Sequence, residues 1–330
     1  MIVTQKELVN PGTFEQRKLS LHLKGANVNV KLVNCIRRIS KLYVPTYGFY
    51  NFEFIENTSI FNNDMMKLRL MHLTPQNIKT DLFYLDPRYY ENVSWDNKFR
   101  EKHPDDKLNY EFIIDVKNNI SKSYSMHDYI NITTNDMKFY LNGKIIDPGF
   151  KNPLLIIQLR KDQSFICKGK AVLGVGLGTG PGLIDGECWA ASGNSYFKQI
   201  SDSEFILTIE SKGQMHEYDI LDKSCKYALM KLDFMKSLIS SKKNEKNNTR
   251  IIFTMDEDES VNAVVNYHLQ SMNEVKYAAC TRKVDVNYST TLELETEKGE
   301  NPITCFLKAI ELTRKDIEEL KTKIAKARKS

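Results

Sequence analysis

One order of elements is legible twice in this chain: a strand, a short amphipathic helix, further strands and a long amphipathic helix. In the first copy Lys18–Gly25 alternates, with Leu19, Leu21 and Leu23 on one side and Ser20, His22 and Lys24 between them. A helix is expected from about Asn29 to Tyr43, ended by Pro45. Its apolar face carries Leu32, Ile36, Ile39 and Tyr43, beside a polar stripe of Lys31, Asn34, Arg38 and Lys41. Val33, Cys35 and Leu42 widen that face, so the helix should pack against more than its own sheet. Leu154–Ile166 reads as strands, Leu154–Leu159 as a buried one, and Phe205–Glu210 alternates again. Leu221–Ser240 is a helix with Leu221, Cys225, Leu229 and Leu232 on one face. In the second copy Arg250–Met255 is a strand, Asp256–Glu259 an acidic turn, and Ser260 caps a helix bearing Val261, Val264, Val265, Leu269 and Met272. Strand-like stretches Val275–Cys280 and Thr290–Glu295 follow. Asn301 then caps, and Pro302 opens, a terminal helix with a stripe of Ile303, Phe306, Ile310, Ile317, Leu320 and Ile324.

Residues 49–150 differ in character and interrupt the first copy. They are rich in Asn, Asp, Tyr and Lys, with short strands at Phe49–Ile55 and Tyr110–Val116 and a short helix at Met65–Leu73. Ser240–Thr249 has no apolar anchor and reads as the linker between the copies. Two copies of one unit in tandem invite a pseudo-two-fold pairing inside a single chain.

Composition excludes several classes. The net charge of +5 over 330 residues is small and shows no concentrated basic face, so it gives only weak support to nucleic acid as a direct partner. The amino terminus lacks a hydrophobic signal core and no apolar run approaches the length of a membrane span, so a cytoplasmic or nuclear location is expected. Cys35, Cys167, Cys188, Cys225, Cys280 and Cys305 show no CxxC spacing and no histidine completes a finger, so they read as small buried residues and structural zinc is not expected.

Catalytic motifs fail on inspection. The glycine-rich stretch Gly174–Gly186 lacks the Lys–Ser/Thr pair of a P-loop, and Leu183 and Thr179 stand where a GxGxxG pattern needs glycine. The Asp256–Glu259 run has no calcium-loop spacing. The histidines His22, His72, His103, His127, His216 and His268 are scattered singly, and His268 reads as a core or interface residue. No catalytic, cofactor-binding or metal-binding residues are therefore expected. Arg37 and Arg38, adjacent on the first helix, read equally as a solvated pair or as a protein–protein anchor.

The segment from Val28 to Ile39 with Tyr43-Val44-Pro45-Thr46 resembles the first helix of the α-type assembly subunits of RNA polymerases, an apolar helix with Asn, two residues, Arg-Arg and then Val/Ile-Pro-Thr. It is most similar to the third-largest subunit of eukaryotic RNA polymerase II and its archaeal counterpart. Asp64–Leu70 with Leu73 and Pro75 looks like the family's acidic–apolar–Arg-Leu helix, Thr134–Phe139 like its Asp-Leu-Lys-Trp strand, and Pro153–Gly176 like its Pro-Ile-Leu…Gly-Ile-Gly stretch. Phe253–Met272, Glu274–Ala279 and the terminal helix resemble the eleventh-largest subunit. Fusion of the two is a feature of nucleocytoplasmic large DNA viruses, and the Asn- and Lys-rich composition fits an AT-rich genome. The sequence departs from the family in two ways. Residues 49–150 hold no Cys, so no zinc is carried over, and the loop Leu177–Glu187 is glycine-rich where the family's is charged.

The resemblance implies an α+β fold with tandem α-type dimerisation domains as an intramolecular pseudo-heterodimer. The first would comprise residues 1–48 and 151–240 around the insert 49–150, and the second residues 250–330 after the linker 241–249. Leu32, Ile36, Ile39, Val261, Val264, Val265, Ile303, Phe306, Ile310 and Ile317 would form the interface between them. The implied role is a non-catalytic platform for viral transcription, present in the host cytoplasm or nucleus and in the virion. Its partners would be the largest and second-largest polymerase subunits and small accessory subunits, with DNA met only through the complex and no membrane. Asn34, Arg37 and Arg38 would face the second-largest subunit, whereas Ala263, Asn266 and Tyr267 stand at their places in the second copy. A nucleotide-binding protein using the glycine loop and a nucleic-acid-binding module stay open beside that reading.

Overall fold

The computed structural model of the chain describes residues 1–9, 17–76, 78, 80–89, 103–104, 106–119, 129–150, 152–177, 186–241, 249–255, 259–283 and 289–329. Most of the expected linker, residues 178–185 of the glycine-rich loop and residues 256–258 of the acidic turn lie outside the described residues. In chain order the elements begin with β1 (Ile2–Val9), β2 (Lys18–Lys24) and α1 (Val30–Leu42). The insert supplies β3 (Thr46–Asn57), α2 (Asn63–Met71), β4 (Tyr110–Lys117), β5 (Tyr129–Thr133), β6 (Met137–Leu141), β7 (Lys144–Ile146), β8 (Leu155–Arg160) and β9 (Ser164–Gly174). The first unit closes with β10 (Ser192–Ser201), β11 (Glu204–Ser211) and α3 (Glu217–Ser241). The second unit is β12 (Arg250–Met255), α4 (Glu259–Gln270), β13 (Val275–Lys283), β14 (Ser289–Thr296) and α5 (Pro302–Ala327).

Local chemistry fixes the helix starts. Asn29 is extended and its side chain accepts from Leu32 N at 2.9 Å, so α1 begins at Val30. Asn301 accepts from Ile303 N at 2.9 Å and Thr304 N at 3.4 Å, while Pro302 takes the first helical position, where no N–H is needed. Ser260, expected as a cap, lies one residue inside α4, which starts at Glu259. Its hydroxyl is instead used by a residue of α1.

The first unit's sheet is antiparallel, ordered β1-β2-β11-β10, and the second's is ordered β12-β14-β13. With β1 set aside the two orders are the same: the unit's first strand, then its last, then its middle one. The helices repeat as well. Leu221, Cys225, Ala228, Leu232, Met235 and Ile239 are buried in α3, and Phe306, Ile310, Thr313, Ile317, Leu320 and Ile324 are buried in α5 at one constant spacing. Leu32, Cys35 and Ile36 of α1 correspond likewise to Val261, Val264 and Val265 of α4. Equal spacing of buried positions means that equal faces of the helices are covered. The duplication therefore extends from element order to burial.

The units do not keep separate cores. One contiguous apolar cluster takes in Leu19, Leu21 and Leu23 of β2, Leu207 and Ile209 of β11, Leu292 and Leu294 of β14, and the apolar faces of α1, α3, α4 and α5. The helix α1 packs on α4, and α3 runs beside α5. The flanking ion pairs Asp219–Arg328, Asp222–Lys321, Asp233–Arg314 and Lys236–Glu311 run in opposite numerical directions, so α3 and α5 are antiparallel. Two hydroxyl groups inside this core are satisfied locally: Thr313 Oγ1 donates to Ala309 O at 2.9 Å, and Ser20 and Thr208 share a 3.1 Å hydroxyl bond.

The insert has its own core, rich in rings: Phe49, Tyr110, Phe112, Phe139 and Phe165 are all buried there. Its main sheet is ordered β3-β9-β4-β6-β7, with β5-β8 as a second ribbon. This pairing moves the insert's boundary from residue 150 to about Gly174, because β8 pairs with β5, and β9 lies between β3 and β4. The expected burial of Leu154–Leu159 holds for Ile156, Ile157 and Leu159, whereas Leu154 and Leu155 are exposed at the edge ribbon. Residues 134–136 form a 3-10 turn, and the strand begins only at Met137. The hairpin β6–β7 turns on Asn142-Gly143, both at positive φ, which suits the right-handed twist of the strands.

A strap from the insert lies against α3. Lys223 Nζ donates to Leu82 O at 2.9 Å and to Thr80 O, and Lys231 stands over the rings of Tyr84 and Tyr227. Burial pulls the Lys223 ammonium from its usual 10.5 down to about 8, against the opposing pull of Asp81 and Asp219.

Two predictions follow from this packing. Cleavage at a protease site introduced within residues 242–248 leaves the two fragments co-eluting in size-exclusion chromatography, because one core joins them; elution as two separate species contradicts the shared core. The folded Lys223 titrates below its unfolded value, so the unfolded chain binds more protons between about pH 8 and 10.5. The cost of burying the charge is full below about pH 8 and is relieved as pH rises through that window. Thermal melts should show wild type gaining stability relative to Lys223→Met from pH 7 to 10.

Candidate assembly surface

Asn34, Arg37 and Arg38 occupy two successive turns of α1, and the structure sends the two arginines different ways. Arg37 Nε donates to Asn34 Oδ1 at 2.8 Å, which holds the two side chains as one half-buried unit. Its Nη1 reaches the carbonyl of Ser195 on β10 at 3.4 Å. Ser40 Oγ and Ser195 Oγ both donate to Arg37 O, at 2.7 and 3.2 Å. Arg37 is thus fixed against the outer strand of its own sheet. Burial first, and the neighbouring Arg38 charge second, draw its guanidinium below the ordinary value.

Arg38 crosses to the second unit. Its Nε donates to Ser260 Oγ at 3.0 Å, and its Nη1 stands 3.9 Å from the Glu259 carboxylate at the start of α4. The Arg38 head therefore lies where the two units meet, whereas Arg37 stays with the first. Two turns further along α4, His268 Nε2 is 2.9 Å from the buried Asp316 of α5, so this histidine ties the short helix of its unit to the long one.

The ten positions expected at the pairing of the units all lie in, or pack against, the shared cluster. Leu32, Ile36, Ile39, Val261, Val264, Val265, Phe306, Ile310 and Ile317 are buried in it, and Ile303 is partly buried against it. Asn266, which stands at the place of Arg37, is half-buried with its Oδ1 unpartnered, and Tyr267, at the place of Arg38, is exposed.

The glycines that begin the glycine-rich loop answer to close packing. A Cβ on Gly174 would meet the Trp189 ring at 2.6 Å, and one on Gly176 would run into the Lys41 carbonyl at the end of α1. Leu177 N donates to Leu42 O at 2.9 Å, completing the seam. Below it Glu187 takes Lys41 at 2.8 Å and Lys212 at 3.5 Å. Burial alone would raise the Glu187 carboxyl, but the Lys41 hydrogen bond and the Lys212 charge outweigh it and hold the group below the usual carboxylate range. Trp189, fully buried between Gly174 and Gly48 with Nε1 on Val172 O at 2.8 Å, is the junction of insert and first unit. Sequence reading passed over it, although a tryptophan just past a glycine run was the available signal.

Among the described residues no three His, Cys, Asp or Glu side chains converge as a metal site, and no helix is long and apolar enough to cross a membrane. Burial pushes the Cys167 and Cys225 thiols up to about 12, so neither is a thiolate near neutrality.

No family model matches the chain. It is similar to a protein of Acanthamoeba polyphaga mimivirus named as a candidate DNA directed RNA polymerase subunit, with 22% identity over 236 residues. That alignment spans 66% of this chain and 64% of the mimivirus protein.

The glycine seam gives a sharp expectation. Gly176→Ala forces backbone apart at the end of α1 and should destabilise the chain by about 2–4 kcal/mol, read as a Tm drop of several degrees. Gly193→Ala, whose Cβ would meet nothing nearer than Lys212 Cγ at 3.6 Å, should stay within about 0.5 kcal/mol of wild type.

Proposed function

We propose that this chain is a non-catalytic assembly subunit of a viral multisubunit DNA-dependent RNA polymerase, in which two α-type halves are joined in one polypeptide and pair with each other. The observation that carries the reading is the repeated unit: the same strand order, the same buried positions on both pairs of helices, and one core shared between them. The similarity to the mimivirus protein supports the polymerase assignment. In this reading the largest and second-largest subunits bring the catalytic chemistry, small accessory subunits complete the complex, and the paired units form the surface on which they assemble.

The α1 surface then has two jobs. Asn34 and Arg37, held rigid by their mutual bond and by Ser195, are offered to the second-largest subunit, where an ordered guanidinium loses little freedom on docking. Arg38 secures the first unit to the second through Ser260 and Glu259. Nucleotide binding by the glycine-rich loop gains no support from its described part, where Gly174 and Gly176 serve packing.

A two-component pull-down with the second-largest subunit, controlled by thermal unfolding, tests this division. Arg37→Ala should weaken capture by roughly tenfold or more, since loss of an interface arginine costs on the order of 2 kcal/mol. Arg38→Ala should instead lower Tm by a few degrees, for about 1 kcal/mol of lost polar contact, with capture little changed at a temperature where it is folded. Equal capture by wild type and Arg37→Ala returns Arg37 to a purely internal role, and failure of the wild-type chain to capture either large subunit refutes the assembly reading.

A further inference from the structure

The two units differ in charge along their short helices. Lys31, Asn34 and Arg37 fall on successive turns of α1, and their counterparts on α4 are Ser260, Ala263 and Asn266, so both cations of this stripe belong to the first unit alone. Beside the stripe lies β10, the outer strand of the first unit's sheet, which among the described residues pairs only with β11. Helix and strand run in opposite directions: Ser40 meets Ser192 at 3.4 Å, and Arg37 meets Ser195, so Asn34 and Lys31 lie along the later part of the strand. The Ser195 carbonyl that Arg37 reaches points away from β11. By the alternation of an antiparallel ladder the main-chain groups of Phe197 and Gln199 point the same way, while those of Tyr196 and Lys198 are used by β11. The strand also shows Tyr196 and Ile200 to solvent, 46% and 52% exposed, with exposed Lys198 between them. Among the described residues none of Lys31, Arg37 and Lys198 has a carboxylate partner. The acids of this strand pair sit at its two ends, Glu210 on Asn194 and Asp202 on Gln199.

We propose that the outer edge of β10 receives an extended, acidic segment of the second-largest subunit, paired with it strand to strand. The proposal rests on the assembly reading above, in which Asn34 and Arg37 are offered to that subunit, and it specifies the form of the contact. Side chains of a strand laid there alternate between two faces. One set meets the α1 stripe, where carboxylates neutralise Lys31 and Arg37. The other lies beside Tyr196 and Ile200, where apolar groups are covered. Main-chain hydrogen bonds to Phe197 and Gln199 supply affinity, and the alternating side chains supply specificity. Arg37, holding the Ser195 carbonyl, marks where the pairing begins. The edge has few of the devices that discourage pairing. The strand contains no proline, Lys198 is its single cation, and its two bulges lie at the ends and leave Asn194–Gln199 regular. A second copy of this chain fits less well, because it would bring the same three cations against these.

The test is amide hydrogen exchange of the full chain, alone and in complex with the purified second-largest subunit. Strand pairing has an alternating signature: the amides of Phe197 and Gln199 slow by at least about tenfold in the complex, whereas those of Tyr196 and Lys198, already bonded to β11, change far less. A benzophenone side chain at Ile200 should cross-link to one acidic stretch of the second-largest subunit. The double variant Lys31→Glu with Lys198→Glu, its folding checked by a melting curve, should weaken capture by about tenfold at low salt, and the difference should shrink at about 1 M salt. Capture with unchanged exchange at Phe197 and Gln199, cross-links to a second copy, to another subunit or to this chain itself, or equal capture by the double variant would each overturn the proposal. If a large subunit is captured and any of these is seen, only the strand pairing fails; if neither large subunit is captured, the assembly reading itself fails.

Discussion

The helix pairs α1–α4 and α3–α5 bury one apolar surface between two sheets, and every other feature of the molecule is placed relative to that surface. A three-stranded sheet with two helices on one face is a small unit. The second has only about 80 residues, a size at which a lone core supplies only a few kcal/mol. Opposed to its counterpart, each unit gains a second covered face, so α1 and α4 are buried over a wider arc than a sheet-packed helix needs. For separate chains such a contact would depend on concentration; within one chain the second unit is always within reach of the first.

Much of this arrangement could be read from letters alone, because periodicity reports directly on burial. Leu19, Leu21 and Leu23 on β2, the α1 face and the stripe from Phe306 to Ile324 all stand out by spacing, and all are buried. The elements that escaped were those whose pattern is set by pairing and not by a covered face. In β1 only Val3 is buried and a bulge breaks the register between Gln5 and Glu7, so its alternation never accumulates. The end of the insert was misplaced for the same reason. Nothing in Ser164–Gly174 says that its hydrogen-bond partners lie in β3 and β4, far back in the chain.

The candidate site was legible in part. Helical spacing put Asn34, Arg37 and Arg38 on neighbouring turns, but spacing within a helix cannot say which long side chain meets its own sheet and which crosses to another unit. That depends on where β10 and α4 arrive. Ser195 presents a carbonyl to Arg37, and Ser260 presents a hydroxyl to Arg38, from positions roughly 160 and 220 residues away in sequence. The glycines were misleading for a related reason. A run of glycine suggests a loop shaped for a ligand, but Gly174 and Gly176 are required by what passes over them, the Trp189 ring and the Lys41 carbonyl.

The ion pairs along α3 and α5 are best understood through register. Each is partly exposed, and pairs of that kind contribute little to stability on their own, about 0–1 kcal/mol. Their arrangement is what counts. Three acids on α3, Asp219, Asp222 and Asp233, meet three bases, Lys321 and Arg314 on α5 and Arg328 at its C-terminal cap, while Lys236 meets Glu311 with the signs reversed. Sliding one helix past the other by a turn would separate all four pairs at once and also carry the buried stripes out of phase, so small electrostatic terms and the apolar core select the same alignment. Arg38 acts in the same sense at the shorter helices, since its reach to Ser260 is met at only one setting of α1 on α4. Apolar contact brings the units together with little directional preference, and these polar contacts confine them to one geometry.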